Sequence, residues 1–241
     1  MFQYIKRLWD FGVQLIYPRR CPVCDNIVVP FGKKVCTACY RKLRYIKQPV
    51  CMKCGKELRT TEKEYCGDCS RIRHVYKQGR AVFPYEIIAP SLYRFKYAGK
   101  REYAAFYGEQ ALRLLGEDIR IWDPQAIVPV PIHPKRWRKR GYNQATEFAK
   151  VLGRQMKIPV RSHLVQRVKN TVPMKILGPE ERQNNLKKAF HIWRNDVKLE
   201  RVLIVDDIYT TGSTMDAMAE ELQRHGVSDI YFVTIAVGNG V

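Results

Sequence analysis

The segment Val202-Leu-Ile-Val-Asp-Asp-Ile-Tyr-Thr-Thr-Gly-Ser-Thr214 constrains the fold more than any other part of this chain of 241 residues. Four aliphatic residues in a row read as a strand buried on both faces, as in a parallel sheet. Asp206 and Asp207 stand where that strand ends, and a loop of small polar residues follows: Thr210, Thr211, Gly212, Ser213 and Thr214. Met215, Met218, Ala219 and Leu222 then recur at helical spacing up to Gly226, a C-terminal stop. Strand, acidic corner, small-residue loop and helix together form an anion site. Free N–H groups at the helix start face the anion, and the helix dipole adds partial positive charge. In an open α/β sheet such a loop lies beyond the carboxyl ends of the strands, where ligands bind.

The rest of the C-terminal two thirds supports that frame. Residues 80–85 with Ile87 and Ile88, residues 126–130 and residues 230–237 read as strands or their exits. Helical periodicity runs through 90–96, 101–115 and 142–156, with Ala145, Phe148, Ala149 and Leu152 on the inward face of the last. Strands alternating with helices predict an α/β domain with a mostly parallel sheet flanked by helices. Residues 166–188 are polar and irregular and read as a mobile loop. Residues 1–18 have the pattern of a basic amphipathic helix, with Phe2, Ile5, Leu8, Trp9, Val13 and Ile16 near one face.

All eight cysteines fall in four C-x-x-C pairs: Cys21/Cys24, Cys36/Cys39, Cys51/Cys54 and Cys66/Cys69. Two such pairs complete a four-thiolate tetrahedral site, for which structural zinc is the natural ion. The spacing predicts two Zn²⁺ ions in tandem ribbons, 21–39 and 51–69, with a cross-braced pairing as the alternative. The first twenty residues lack the apolar core and cleavage site of a signal peptide. A reducing compartment is therefore expected, where repeated C-x-x-C pairs read as metal sites. The predicted organisation is an N-terminal helix, 1–20, a double zinc ribbon, 21–75, and an α/β domain, 76–241. Chelation is expected to unfold 21–69 and spare the C-terminal domain.

A formal net charge of +20 points to an anionic partner, with phosphate-rich small molecules, nucleic acid and an anionic membrane surface as the options. No apolar stretch has the length of a membrane-spanning helix. A cytoplasmic location is expected, with a peripheral membrane position through the N-terminal helix as the second option. Lys135, Arg136, Arg138, Lys139 and Arg140 crowd one short stretch after the strand at 126–130. Their charge and the bidentate geometry of Arg suit a pyrophosphate. His133 adjoins them, whereas His74, His163, His191 and His225 have no metal-like spacing and read as structural or exposed.

The segment Asp206-Asp207-Ile-Tyr-Thr-Thr-Gly-Ser-Thr214 resembles the phosphoribosyl pyrophosphate (PRPP) loop of type I phosphoribosyltransferases. Arg140-Gly-Tyr-Asn-Gln144, Tyr93-Arg-Phe-Lys-Tyr-Ala-Gly99, Asn170-Thr171 and the stretch from Glu181 to Phe190 resemble segments of the ComF competence family, whose members join a zinc-ribbon module to such a domain. Met174 stands where that family usually carries Gln. The resemblance implies that Asp206 and Asp207 hold the ribose hydroxyls and act at the catalytic centre. It places the 5′-phosphate on Thr210, Thr211, Gly212, Ser213 and Thr214, and the leaving pyrophosphate on the basic residues 135–140.

Two classes of function follow from that resemblance. One is Mg²⁺-assisted transfer of a phosphoribosyl group from PRPP to an unidentified acceptor, with residues 166–188 closing as a lid. The other is a PRPP-binding protein that handles incoming single-stranded DNA in natural competence, alone or with competence and DNA-processing proteins. There the ribbons' basic surface would follow phosphates, with Tyr40, Tyr45 and Trp137 as stacking platforms.

Overall fold

The computed structural model describes residues 12, 17–30, 32–168, 189–193 and 198–238. The predicted N-terminal amphipathic face, the segment 169–188 and the family-like residues Asn170, Thr171, Met174 and 181–188 lie outside the described residues. Two compact units divide the chain, Met1–Leu43 and Arg44–Val241.

The first unit holds one cysteine cluster and helix α1, Thr37–Lys42. Its knuckle is closed by short backbone bonds, Cys21 N to Asn26 O at 2.7 Å and Val28 N to Arg19 O at 2.9 Å. The thiol of Cys36 reaches Ile27 O at 3.6 Å. Exposed Lys33, Arg41 and Lys42 surround this small framework.

In the second unit β1, Gln78–Pro84, is followed by α2, Tyr85–Tyr97, and α3, Tyr103–Trp122. Next come β2, Ala126–Pro129, α4, Pro134–Arg140, and α5, Gln144–Met156. A two-residue strand β3, Gln166–Arg167, pairs antiparallel with β4, Phe190–His191. The chain ends on β5, Arg201–Tyr209, α6, Ser213–Arg224, and β6, Asp229–Val237. The main sheet has the order β1-β6-β5-β2, and every pair in it is parallel. Central β5 carries the aliphatic run, and Val202, Leu203, Ile204 and Val205 are all fully buried, as a strand covered on both faces requires.

Two expectations shift in detail. The residues read as a strand exit, Ile87 and Ile88, are helical, because α2 starts directly after Pro84. Pro90 inside it removes one backbone bond, which burial of Ile88, Leu92 and Phe95 offsets. The basic stretch after β2 is a short helix, not an open loop: Pro134 occupies its first turn, His133 caps Lys135 N, and Gly141 closes it with φ 77°.

The second cysteine ribbon is built into the sheet domain. Cys51 and Cys54 share one hydrophobic cluster with Val202, Ile204, Tyr209, Met215, Met218 and Phe232. Gly79 N donates to Lys53 O at 2.8 Å, and Ile46 N donates to Val82 O at 3.1 Å, so ribbon backbone pairs with β1. A Cβ at Gly55 would lie 2.8 Å from the Arg80 Cα. The backbones therefore touch, which only glycine permits there.

Candidate functional site

The parallel sheet aims the carboxyl ends of β2 and β5 at one edge of the domain, and the acidic corner and the phosphate-type loop lie there. Asp206 and Asp207 occupy the end of β5, where Asp206 Oδ1 accepts the Asp207 N–H at 2.8 Å. Burial, and then the adjacent Asp207 charge, push the Asp206 carboxyl up to about 7. Lys96 of α2 pairs with Asp207, Nζ to Oδ2 at 3.0 Å, with both side chains under one fifth exposed. Lys96 and Arg167 of β3 also favour the Asp206 charge. Arg167 is held down to about 10, first by burial and then by Arg136. Lys96 and Arg167 are site residues that sequence reasoning missed. Lys96 does lie within the family-like segment 93–99, which was the available signal.

The basic stretch divides by helical geometry. Arg136 and Arg140, four residues apart on α4, are partly buried and face the site side, whereas Lys135, Arg138 and Lys139 are exposed. Arg140 stacks over Tyr97, its guanidinium 4.9 Å from the ring centre, and donates to Gln144 Oε1 at 3.0 Å. Arg136 and Arg140 both act electrostatically on Arg167. Arg167 thus links Arg136 and Arg140 electrostatically to Asp206, which Lys96 also favours, and Lys139 lines a surface cavity with Lys96, Tyr93 and Tyr97. The remaining residues of Arg140-Gly-Tyr-Asn-Gln144 brace the fold. The Asn143 amide donates to Val130 O at 2.9 Å and its oxygen caps Ala145 N at 3.1 Å. The Tyr142 hydroxyl donates to Phe95 O.

The loop Thr210–Gly212 leads into α6, whose N-cap, Gly212, has φ 87°. Thr211, Ser213 and Thr214 are partly exposed, and the Thr211 and Ser213 hydroxyls lie 2.9 Å apart. The start of α6 therefore offers unpaired N–H groups with two hydroxyls beside them, the donor set a phosphate takes. Beneath the loop the Tyr209 and Tyr76 hydroxyls bond at 2.8 Å, and Tyr209 stacks on Phe232 at 5.0 Å.

Stability follows from the acid pair. Because its folded value is raised towards 7, Asp206 favours the fold at low pH and loses that contribution as pH climbs through about 7. Asp206→Asn is therefore expected to stabilise the protein more at pH 8 than at pH 5, the difference between the two being at most about 3 kcal/mol. Urea denaturation at both pH values checks this. A gain that shrinks with rising pH would contradict it.

Among the described residues, two groups of cysteines can hold a metal: Cys21, Cys24, Cys36 and Cys39, and Cys51, Cys54, Cys66 and Cys69. Within each, all sulfurs lie within 4.8 Å of one another. Tetrahedral zinc, at about 2.3 Å from each sulfur, sets them about 3.8 Å apart, so both clusters fit it. The pairing is consecutive, first pair with second and third with fourth, which excludes the cross-braced alternative. Among the described residues no helix is long and apolar enough to cross a membrane.

Of the aromatic residues read as stacking platforms, Tyr40 and Trp137 are exposed. Tyr45 is not free: it stacks on Phe83 at 5.2 Å and its hydroxyl bonds Gln110 at 2.9 Å. Tyr93 and Tyr97 on α2 are exposed as well, with ring centres 5.1 Å apart.

Comparison with known proteins agrees with this architecture. Residues 12–70 match the double zinc ribbon domain, and residues 141–240 match the phosphoribosyl transferase domain. Competence protein F of Haemophilus influenzae is 42% identical over 110 residues, covering 44% of this chain and 48% of that protein. The DNA utilization protein YhgH of Escherichia coli K12 is 29% identical over 150 residues, 59% of this chain and 64% of that protein. Competence protein ComFC of Streptococcus pneumoniae is 25% identical over 158 residues, 63% of this chain and 64% of its own. The chain thus spans between about half and just under two thirds of the length of these relatives. Among solved structures, a purine phosphoribosyltransferase from Pyrococcus horikoshii is 19% identical with a TM-score of 0.34, covering 55% of this chain and 74% of that one. A Trypanosoma cruzi hypoxanthine phosphoribosyltransferase is 12% identical with a TM-score of 0.37, covering 58% and 74%. Two four-cysteine clusters that match a double zinc ribbon thus precede a sheet that matches a phosphoribosyl transferase domain, and the chain is similar to competence protein F, YhgH and ComFC.

Proposed function

We propose that this protein binds PRPP with Mg²⁺ at the carboxyl ends of β2 and β5 and acts in the handling of incoming single-stranded DNA. The observation that carries the reading is the juxtaposition at one sheet edge of an acid pair, a hydroxyl-lined helix start and half-buried cations. Ribose hydroxyls donate to carboxylates, so Asp206 and Asp207 take the diol. The N–H groups and hydroxyls of Thr210, Thr211, Gly212, Ser213 and Thr214 take the 5′-phosphate. Arg136 and Arg140 supply the charge for the pyrophosphate, with Lys135, Arg138 and Lys139 at the rim. Mg²⁺ would travel with the pyrophosphate and spread its charge.

The DNA part of the reading draws on the relatives named for competence and DNA utilization and on the net charge of +20. Lys33, Arg41 and Lys42 of the first unit are exposed, as are Lys47 and Arg59 of the second, and each can meet a phosphate, whereas Arg44 pairs with Glu57 at 2.6 Å. Lys53 and Lys56 are otherwise engaged: Lys56 pairs with Asp68 at 2.6 Å, and Lys53 sits over the Tyr76 ring. The second reading is catalytic: the same site transfers the phosphoribosyl group to an acceptor. The intact acid pair supports binding equally under both.

Titrating a fluorescent oligothymidylate across a salt series tests the DNA part. Affinity should fall steeply with salt and survive saturation with Mg-PRPP. Binding absent near physiological ionic strength would remove direct DNA contact from the account. A phosphoribosyl-transfer or protein-adaptor role would then stand in its place.

A further inference from the structure

The helix that presents N–H groups to a phosphate also carries a carboxylate in its first turn, Asp216. A free carboxylate there would compete for the same N–H groups and repel a phosphate. The structure turns it away. Asp216 Oδ2 lies 2.8 Å from His74 Nδ1, and Oδ1 accepts the Val75 N–H at 2.9 Å. His74 sits between the last cysteine of the second ribbon and β1, is 5% exposed, and stacks on Tyr76 at 4.9 Å. Its ring also lies directly beneath the N-cap of α6. A Cβ on Gly212 would come within 2.7 Å of His74 Cε1 and 2.8 Å of the Tyr209 hydroxyl.

We propose that His74 is the positioning residue of the phosphate loop, holding Asp216 out of the anion site. The inference rests on the PRPP reading of that loop. His74 touches no substrate. It acts through Asp216, and this separates it from a residue that merely packs. If packing were its whole role, truncating both residues would do at least as much harm as truncating His74 alone. If His74 restrains a competing carboxylate, removing that carboxylate undoes the damage.

The experiment is a calorimetric titration of the metal-loaded full chain with Mg-PRPP, with inorganic phosphate as a second probe. His74→Ala should weaken Mg-PRPP about tenfold. The double variant His74→Ala with Asp216→Ala should return to within about threefold of the parent. His74→Asn keeps an N–H donor near the Nδ1 position and should stay within the same range. Asp216→Ala alone, which needs no change at His74, should bind as well as the parent or better. Unchanged affinity in His74→Ala, a double variant weaker than the single one, or loss of binding in Asp216→Ala would each overturn the proposal and leave the PRPP reading standing. A parent protein that binds neither Mg-PRPP nor phosphate takes both down.

Discussion

Replacing Asp206 and Asp207 together by Asn is expected to weaken Mg-PRPP binding at least about tenfold, with the fold intact. Each lost charge-assisted hydrogen bond to a ribose hydroxyl costs about 1.5–3 kcal/mol, and a tenfold change in affinity is about 1.4 kcal/mol. The structure adds a reason to expect more than the minimum. Lys96 lies 3.0 Å from Asp207, and its charge would be left facing an amide. Arg167 would likewise lose the Asp206 charge that favours its ionised form. Binding by calorimetry and folding by circular dichroism check this together. Unchanged affinity in the folded double variant would mean that the acid pair does not read the sugar.

The second large effect concerns the metal sites, where the structure revises the sequence expectation. Replacing Cys51 and Cys54 by Ser is expected to unfold the unit Arg44–Val241, whereas Cys21→Ser with Cys24→Ser should leave it folded. Structural zinc contributes roughly 10–16 kcal/mol in small metal-dependent modules, comparable with the roughly 5–15 kcal/mol that holds a whole domain together. Cys51 and Cys54 lie in the same hydrophobic cluster as the core of β5 and α6. Ribbon backbone also pairs with β1 through Gly79 and Ile46. The second ribbon therefore has no independent transition, and chelation should not spare the C-terminal domain as the spacing alone suggests. Thermal melts of the two variants, with zinc counted by mass spectrometry, check this. The parent should hold about two zinc ions per chain. A native-like melt in the Cys51, Cys54 variant would contradict the shared core.

The strand, loop and helix from Val202 to Thr214 were legible because each signal is local. Four consecutive aliphatics, a glycine at the turn and helical spacing of Met215, Met218 and Leu222 act over a few residues. The cysteine pairs were legible for the same reason, but consecutive pairing was not, because spacing alone allows both arrangements. What escaped is long-range. Lys96 meets Asp207 across more than a hundred residues, and His74 meets Asp216 across 142, so no window of sequence contains either pair. The division of residues 135–140 into inward Arg136 and Arg140 and outward Lys135, Arg138 and Lys139 needed the helix, which Pro134 and Gly141 signal only weakly. Tyr45 looked like an exposed platform because its partners, Phe83 and Gln110, lie far along the chain.

The central claim is that the edge built from β2, β5 and the start of α6 is a PRPP site. Its most direct test is a calorimetric titration of the zinc-loaded full chain with PRPP in the presence of Mg²⁺. The account predicts saturable binding of one PRPP per chain, with ribose 5-phosphate and pyrophosphate each binding more weakly than the whole molecule, since neither alone spans acids, loop and cations. Absence of saturable binding by folded, zinc-loaded protein, or pyrophosphate binding as tightly as PRPP, would contradict it.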